Sequence, residues 1–397
     1  MTAALPVSTR SAELPVCAAP PLVDFLRKVP DARDARGRRH SLEAILVLVV
    51  VAMLAGRTHN LGIHEWGRNA EEAIVKAFGF KNGRTPAAST LHLVLKSLDW
   101  EEFAEQLRDW ALALLRQLDP LGEAALSCDG KAVRGSLRAG AEVAHLVSIF
   151  TSELGITLDL DPVDTKSSEL DAAPRLLLRL PIAGRTLVAD ALFTQPSISA
   201  AVVKAGADYV LPVKGNQPGL QAELRAVFAA PLPYDWRCEE AETFNRAHGR
   251  QEHRRLVLVA PPPEERVDWP GVQQYYLLQR WRYAKDWRGR VRQSFTAVYG
   301  VTSLGRDRAG ARKVLDLVRG HWGIENRSHW IRDTLLREDD SRLATTQVVK
   351  VLAGLRGTVL TILHGYRRTT GARSVAAARR KLEQDPWVAL DLLRGGL

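Results

Sequence analysis

Two apolar runs in this chain stop at an aspartate: Ala-Leu-Ser-Cys-Asp129-Gly-Lys131 and Leu-Val-Ala-Asp190-Ala-Leu. Such runs read as buried strands, and ligands and reacting groups collect at the carboxyl ends of strands in α/β sheets. A lone Asp there is usually a turn or a helix cap. Two of them in one α/β block with basic neighbours suit a hard divalent cation. Mg2+, or Mn2+ in its place, takes one or two carboxylates plus waters and phosphate oxygens, and two such ions can activate both the attacking and the leaving oxygen of a phosphoryl transfer. A third carboxylate is then expected from elsewhere. Glu325 is the candidate, standing four residues after His321 and four before His329, on one helical face. The competing reading is an amphipathic helix whose Trp322, Trp330, Ile331 and Leu335 pack while its polar face is solvated.

These groups need a mixed α/β layer to hold them. Strand patterns at 125–128, 143–150, 155–160, 185–189 and 209–213, with helical stretches at 167–180 (interrupted at Pro174) and 197–204, predict three antiparallel strands followed by a β-α-β unit. Before them, residues 22–121 read as helical throughout, with Ser41 and Asp99 as candidate N-caps. After them, strands at 254–259, 274–283 and 292–301 mark a β-rich stretch, bounded here as 231–305. Residues 306–367 return to helix. A loose tail over 1–21 and a basic tail over 368–397 complete the expected organisation.

Composition bounds the function. Hydrophobic residues make up 46% and charged residues 25% of 397, as in ordinary globular proteins. The 55 Lys+Arg against 45 Asp+Glu leave a charge of +10, which favours a polyanionic partner such as nucleic acid. Cys17, Cys128 and Cys238 are scattered and form no CxxC pair, which argues against a disulfide framework and fits a reducing cytoplasm. The apolar run 42–55 contains Glu43, is shorter than the ~18 to 20 residues that span a bilayer, and starts too late for a signal peptide. It reads as a buried core helix, and no membrane role is expected.

The motifs then become specific as a set. Arg36-Gly37-Arg38-Arg39-His40, Asp129-Gly130-Lys131-Ala-Val-Arg134-Gly135-Ser136, Thr165-Lys166-Ser167-Ser168-Glu169 and Ala189-Asp190-Ala191-Leu192-Phe193-Thr194-Gln195 come in order. Tyr209-Val-Leu-Pro-Val-Lys214-Gly215-Asn216-Gln217, His248-Gly249-Arg250 and His321-Trp322-Gly-Ile-Glu325-Asn326-Arg-Ser-His329-Trp330 with Glu338-Asp339 follow. Together they resemble the ISAs-type, H-repeat-associated transposases of bacterial insertion sequences, from about residue 22 to 365. The resemblance implies an RNase H-like catalytic core, a mixed sheet with flanking helices, with a β-rich insertion and an N-terminal all-helical domain.

Carried over residue by residue, the implied DDE carboxylate triad is Asp129, Asp190 and Glu325. These would hold Mg2+ (or Mn2+) for DNA strand cleavage and strand transfer, with no nucleotide cofactor. The implied partners are double-stranded DNA, both the element's terminal inverted repeats and its target, and a second copy of the chain on DNA, in a bacterial cytoplasm and on the nucleoid when bound. Candidate DNA contacts are Arg36, Arg38, Arg39, Lys131, Arg134, Lys166, Lys214, Asn216, Gln217, Arg250, His321, Asn326, His329 and Arg332. One departure concerns the Tyr/Arg/Glu/Lys helix signature of the wider transposase group. Val318 and His321 stand where its tyrosine and arginine would be, and Arg332 replaces its lysine.

Rival classes lack their signatures. His321, Glu325 and His329 have one-face spacing for zinc but no HExxH. No G-x-x-x-x-G-K-[ST] occurs, Ser136 lacks a G-x-S-x-G context, and Cys128 reads as a buried strand residue. The alternative within the family is a catalytically inactive or domesticated DNA-binding derivative, which needs the basic surface but not the carboxylates.

Overall fold

The computed structural model describes residues 19–134, 144–163, 169–231, 233, 236–247, 249–285, 290–340 and 346–396. Most of the 1–21 tail, together with Ser136, Lys166 and His248, lies outside the described residues. Among the described residues six α-helices come first: α1 (Leu22–Leu26), α2 (Leu42–Leu54), α3 (Asn60–Asn69), α4 (Glu72–Ala77), α5 (Ala88–Ser97) and α6 (Trp100–Leu118). Both expected caps form: Ser41 accepts from the Ala44 N–H and Asp99 from the Glu102 N–H, filling donors that have no partner within the helix. Every residue of α2 except Glu43 is buried, as befits a helix apolar all round.

Among the described residues nine strands form one sheet: β1 (Leu126–Val133), β2 (Ala144–Thr151), β3 (Ile156–Val163), β4 (Thr186–Ala189), β5 (Asp208–Val213), β6 (Arg237–Ala247), β7 (Arg250–Ala260), β8 (Gln274–Lys285) and β9 (Val291–Thr302). Their order is β3-β2-β1-β4-β5-β9-β8-β7-β6. The β1-β2-β3 meander is antiparallel, β1-β4-β5 is parallel, and β9 returns antiparallel to β5.

The β-rich stretch therefore extends the sheet rather than forming a separate layer. Val213 at the end of β5 pairs with Tyr299, so β9 begins eight residues beyond it, an overhang of roughly 27 Å at ~3.4 Å per residue. That overhang lies at the sheet end where β1 and β4 reach Asp129 and Asp190. Strand β6 was missing from the expected strands, because Arg-Cys-Glu-Glu-Ala-Glu-Thr-Phe-Asn-Arg-Ala has no apolar face. Its pairing with β7, from Arg237↔Ala260 to Ala247↔Arg250, forms it instead.

Three other expectations are corrected. Strand β1 does not stop near residue 128: its pairing with β2 continues to Val133↔Ala144, while its pairing with β4 ends at Cys128↔Ala189. Helix α7 (Glu169–Arg179) is not interrupted, because Pro174 removes a single N–H from a helix already packed on β2 and β3. The basic tail is helical. After α8 (Pro196–Lys204), α9 (Pro218–Ala229), α10 (Ala311–Ile324) and α11 (Trp330–Thr334), helix α12 runs from Thr346 to Thr370, followed by α13 (Val375–Gln384) and α14 (Pro386–Leu393). The basic composition hides an apolar period at Val375, Ala378 and Leu382, then Ala389, Leu390 and Leu393, all buried where α13 and α14 pack on α2. Helix α12 itself lies against α2, α5, α6 and β3 within one continuous core. It is long and apolar enough to cross a membrane, yet 94% of its apolar window is buried in protein.

Candidate active site

Parallel pairing of β1 with β4 ends at Cys128↔Ala189, so Asp129 and Asp190 are the next residues on neighbouring strands. Both have local work. Asp129 Oδ1 accepts the Gly130 N–H at 2.9 Å, and Asp190 caps the short 3-10 turn Ala191–Phe193 by accepting from Leu192 N–H at 2.8 Å. The cap reading of Asp190 is thus correct as far as it goes; its second oxygen remains available.

Helix α10 crosses the sheet over β1, β4 and β5 and on to β6 and β7. It does not continue as one regular helix, as the helical reading of 306–367 implied. Residues Glu325–His329 form a π-helical turn, closed by a Trp330 N–H to Glu325 O bond, before α11 resumes. Such turns are rare and recur at functional sites. Helix α12 pins this one: His364 Nε2 donates to Arg327 O at 2.9 Å. The packing face also differs from the expected one. Ile331 is buried, but Trp322 and Trp330 are 57% and 62% exposed, on either side of Glu325, contrary to the amphipathic reading.

Electrostatics mark the place. Burial pushes the Asp129 carboxyl up to about 7, and Asp190, Glu169 and Glu325 add to the shift in that order. Among the described residues no Lys or Arg pairs with Asp129, Asp190 or Glu325; the basic side chain nearest Asp129 is the imidazole of His329, with Nδ1 3.6 Å from Oδ2. Burial holds His329 down to about 3, helped by Arg332 and Lys131, and His321 down to about 4 against the pull of Asp190. Both imidazoles are therefore neutral near pH 7. His321 Nδ1 and His329 Nε2 are buried without a hydrogen-bond partner.

The donor set fits a hard cation: clustered carboxylate oxygens without a compensating side-chain cation, beside two orphaned imidazole nitrogens. Among the described residues no three His, Cys, Asp or Glu side chains close into a ready ligand cluster. The groups converge on one sheet end without being drawn together.

Other candidates are used elsewhere. Lys131 is buried and pairs with Asp333 at 2.7 Å, Glu338 at 3.3 Å and Asp339 at 3.5 Å. Arg332, 1% exposed, makes a two-pronged contact with Glu338, Nη2 to Oε1 at 2.7 Å and Nε to Oε2 at 3.0 Å. Both are internal ion pairs rather than DNA contacts in this structure. Asn216 Nδ2 donates to Ala191 O at 2.6 Å and Gln217 Nε2 to Thr194 O at 3.1 Å, so these amides fasten the loop that carries Asp190.

Asn326 donates to Trp322 O and is exposed. Lys214, Arg134 and Arg250 are exposed, Lys214 just past β5 and Arg250 at the β6–β7 turn. Arg36 and Arg39 are exposed in the loop before α2, while Arg38 is tied there by bonds to Arg33 O and Asp31 O. Two residues that entered the sequence reading only as members of motifs, outside the candidate site set, take central places. Glu338 is fully buried amid three cations, and Glu169 opens α7 beside Gly130.

The model of the family described as "Transposase DDE domain" matches residues 129–362, and the one described as "DDE_Tnp_1-associated" matches 23–111. The chain belongs to the DDE transposase family. The transposase is 28% identical to "Putative transposase YncI" of Escherichia coli O157:H7, over 91% of each chain. It is 26% identical to "H repeat-associated putative transposase YhhI" of Escherichia coli K12, over 91% of this chain and 94% of that one. An uncharacterized protein in the dhlA 3′ region of Xanthobacter autotrophicus is 32% identical to this transposase over 64% of its length and 86% of the relative's. Among solved structures, a piggyBac transposase synaptic complex with hairpin DNA aligns with 94% of the transposase and 78% of that chain, at TM-score 0.41 and 10% identity.

Proposed function

We propose that this transposase cuts DNA at the ends of its own insertion element and joins the freed ends to target DNA, with Asp129, Asp190 and Glu325 as the catalytic carboxylates. The supporting observation is the juxtaposition itself: two aspartates side by side just past the point where the β1–β4 pairing ends, with the helix bearing Glu325 laid across them and, among the described residues, no side-chain cation to neutralise the group. The strand order β3-β2-β1-β4-β5 supports an RNase H-like core, in which the β6–β9 stretch enters before the third carboxylate.

Asp129, Asp190 and Glu325 would hold the divalent cation, Mg2+ or Mn2+. When bound, it neutralises charge on the phosphate and makes a water or a DNA 3′ hydroxyl nucleophilic at neutral pH. The chain's part is positioning. Asn216 and Gln217 fix the Asp190 loop, the π turn and His364 fix the start of Glu325, and neutral His321 and His329 add no positive charge that would compete with a cation. The attacking oxygen forms a new P–O bond as the bond to the departing strand breaks, leaving a 3′ hydroxyl for the second transfer. Exposed Arg36, Arg39, Arg134, Lys214 and Arg250 are proposed to meet DNA phosphates, and two copies to assemble on paired element ends.

Purified full-length protein is expected to nick duplex DNA carrying its element ends in Mg2+ or Mn2+ and to stop on addition of chelator. Cleavage that persists in chelator overturns the metal-dependent reading.

A further inference from the structure

The DD pair and Glu325 do not exhaust the acidic groups at this sheet end. Glu169 is the first residue of α7, which packs on β2 and β3, and its side chain is 5% exposed. Its carboxylate lies directly over the backbone of Gly130: a Cβ built on that glycine would fall 2.4 Å from Oε2 and 2.6 Å from Cδ. Gly130 is not among the glycines with left-handed φ, so backbone conformation does not demand glycine there. Space does. The missing side chain lets an acidic group from the α7 side of β1 come up against the residue next to Asp129.

The strand is open at that point. Beyond Cys128, β1 has β2 on one side and has lost β4 on the other. Side chains of neighbouring residues alternate between faces of a strand, so Asp129 faces the α10 side while Glu169 arrives from the opposite one. Past the end of β4 no paired backbone separates them. The charge of Glu169 accordingly bears on Asp129 more strongly than that of Glu325 does.

Glu169 is not spent on a structural ion pair with a strong cation. Among the described residues no Lys or Arg contacts it. Its hydrogen-bond partner is His145 Nδ1 on β2, at 3.0 Å from Oε1. A carboxylate buried in this way is costly unless charge reaches it from a partner. It contrasts with Asp161, a buried carboxylate on the neighbouring strand, which takes both Nε and Nη2 of Arg175. The two orphaned nitrogens of His321 and His329 are independent signs that this end of the sheet lacks a partner.

We propose that Glu169 is a fourth carboxylate of the cation-binding set, reaching the ion held by Asp129 past the bare Cα of Gly130, with His145 fixing its orientation. The proposal rests on the metal-dependent reading of Asp129 given above. It also assigns Gly130 a reason: any side chain at 130 would displace the Glu169 carboxylate.

The test is Mn2+ binding to the full-length protein, followed by electron paramagnetic resonance of the free ion, with melting in chelator as the control for folding. Wild type, Asp129→Asn, Glu169→Gln and Gly130→Ala are compared. Glu169→Gln and Gly130→Ala are expected to raise the half-saturating Mn2+ concentration at least tenfold, and the Mn2+ needed for half-maximal cleavage by a similar factor. If Asp129→Asn loses Mn2+ while Glu169→Gln binds it as wild type does, Glu169 is structural and this proposal falls alone. If wild type and Asp129→Asn bind Mn2+ alike, the metal reading of Asp129 falls and takes this proposal with it. Glu169→Asp keeps the charge and retracts it by one carbon; should Glu169→Gln not fold, a wild-type Mn2+ midpoint in Glu169→Asp overturns the proposal.

Discussion

Asp129 and Lys131 are two residues apart on the same face of β1, and their surroundings are opposites. Around Asp129 the neighbouring charges are carboxylates, and its own carboxyl is pushed up to about 7, by burial first and then by Asp190. Around Lys131 lies Glu338, which has Arg332 at 2.7 Å, Lys131 at 3.3 Å and Arg356 at 3.9 Å; although burial opposes it, this ring of cations holds Glu338 down to about 2. The same strand and the same helical segment supply both regions. One is neutralised from within and ties β1 to α11 and α12. The other keeps its acidic groups uncompensated, which is sensible where charge arrives from outside. A cluster's sign alone does not tell function from scaffold; the presence of internal counter-charge does.

The largest test of that contrast is Asp129→Asn. It should cut the rate of DNA cleavage by at least about 1,000-fold, ~4 kcal/mol in the barrier, while gel-shift affinity for DNA and melting in chelator stay near wild type. A strongly destabilised Asp129→Asn would mean that this carboxylate is scaffold after all. Glu325→Gln is expected to behave in the same way.

Glu338→Gln should do the reverse, losing about 3 to 5 kcal/mol of stability in urea titration because three buried cations lose their carboxylate. The pH dependence follows from the lowered folded value. The stabilisation from Glu338 is complete above its unfolded value near 4.5 and drains away as pH falls from there toward about 2, so the wild-type and Gln curves should converge in acid. Curves that run parallel down to pH 3 would remove Glu338 from the role of charge hub.

The smallest effect is expected at Asp333, whose carboxylate pairs with Lys131 but is 34% exposed. Asp333→Asn should cost about 1 kcal/mol or less and retain cleavage. A cleavage-dead Asp333→Asn protein beside an active Glu325→Gln protein would move the third carboxylate two turns along the helix.

The placement of Asp129 beside Asp190 was readable because an apolar run that meets an aspartate carries a short-range signal. The apolar runs before Asp129 and Asp190 fix their position, and parallel pairing then brings them together. The β1-β2-β3 and β4-α8-β5 pattern was likewise legible from periodicity. What stayed hidden depends on contacts distant in sequence. Lys131 and Arg332 read as DNA contacts because basic residues in a motif look alike whether solvated or buried; only the fold reveals Glu338 between them. The amides of Asn216 and Gln217 gave no hint that their partners were Ala191 and Thr194. The π turn depends on His364, far along the chain, and β6 is a strand by pairing rather than by pattern.

The central position of α12 also bears on how the molecule comes into being. Its residues fill the space bounded by α2, α5, α6 and β3, so those elements cannot finish burying their apolar faces until about residue 370 has left the ribosome. At ~5 to 20 residues per second, α2 waits on the order of 15 to 60 seconds after its own synthesis for that cover. For all that time α1 and α3 are the only neighbours available to the all-apolar segment from Ala44 to Leu54 among the helices that pack on it in the finished fold, and its α12 face stays open to chaperones and to other nascent chains. A copy of the gene truncated ahead of α12 would therefore yield an aggregation-prone fragment rather than a smaller working protein, and protein output from such copies should be governed by quality control.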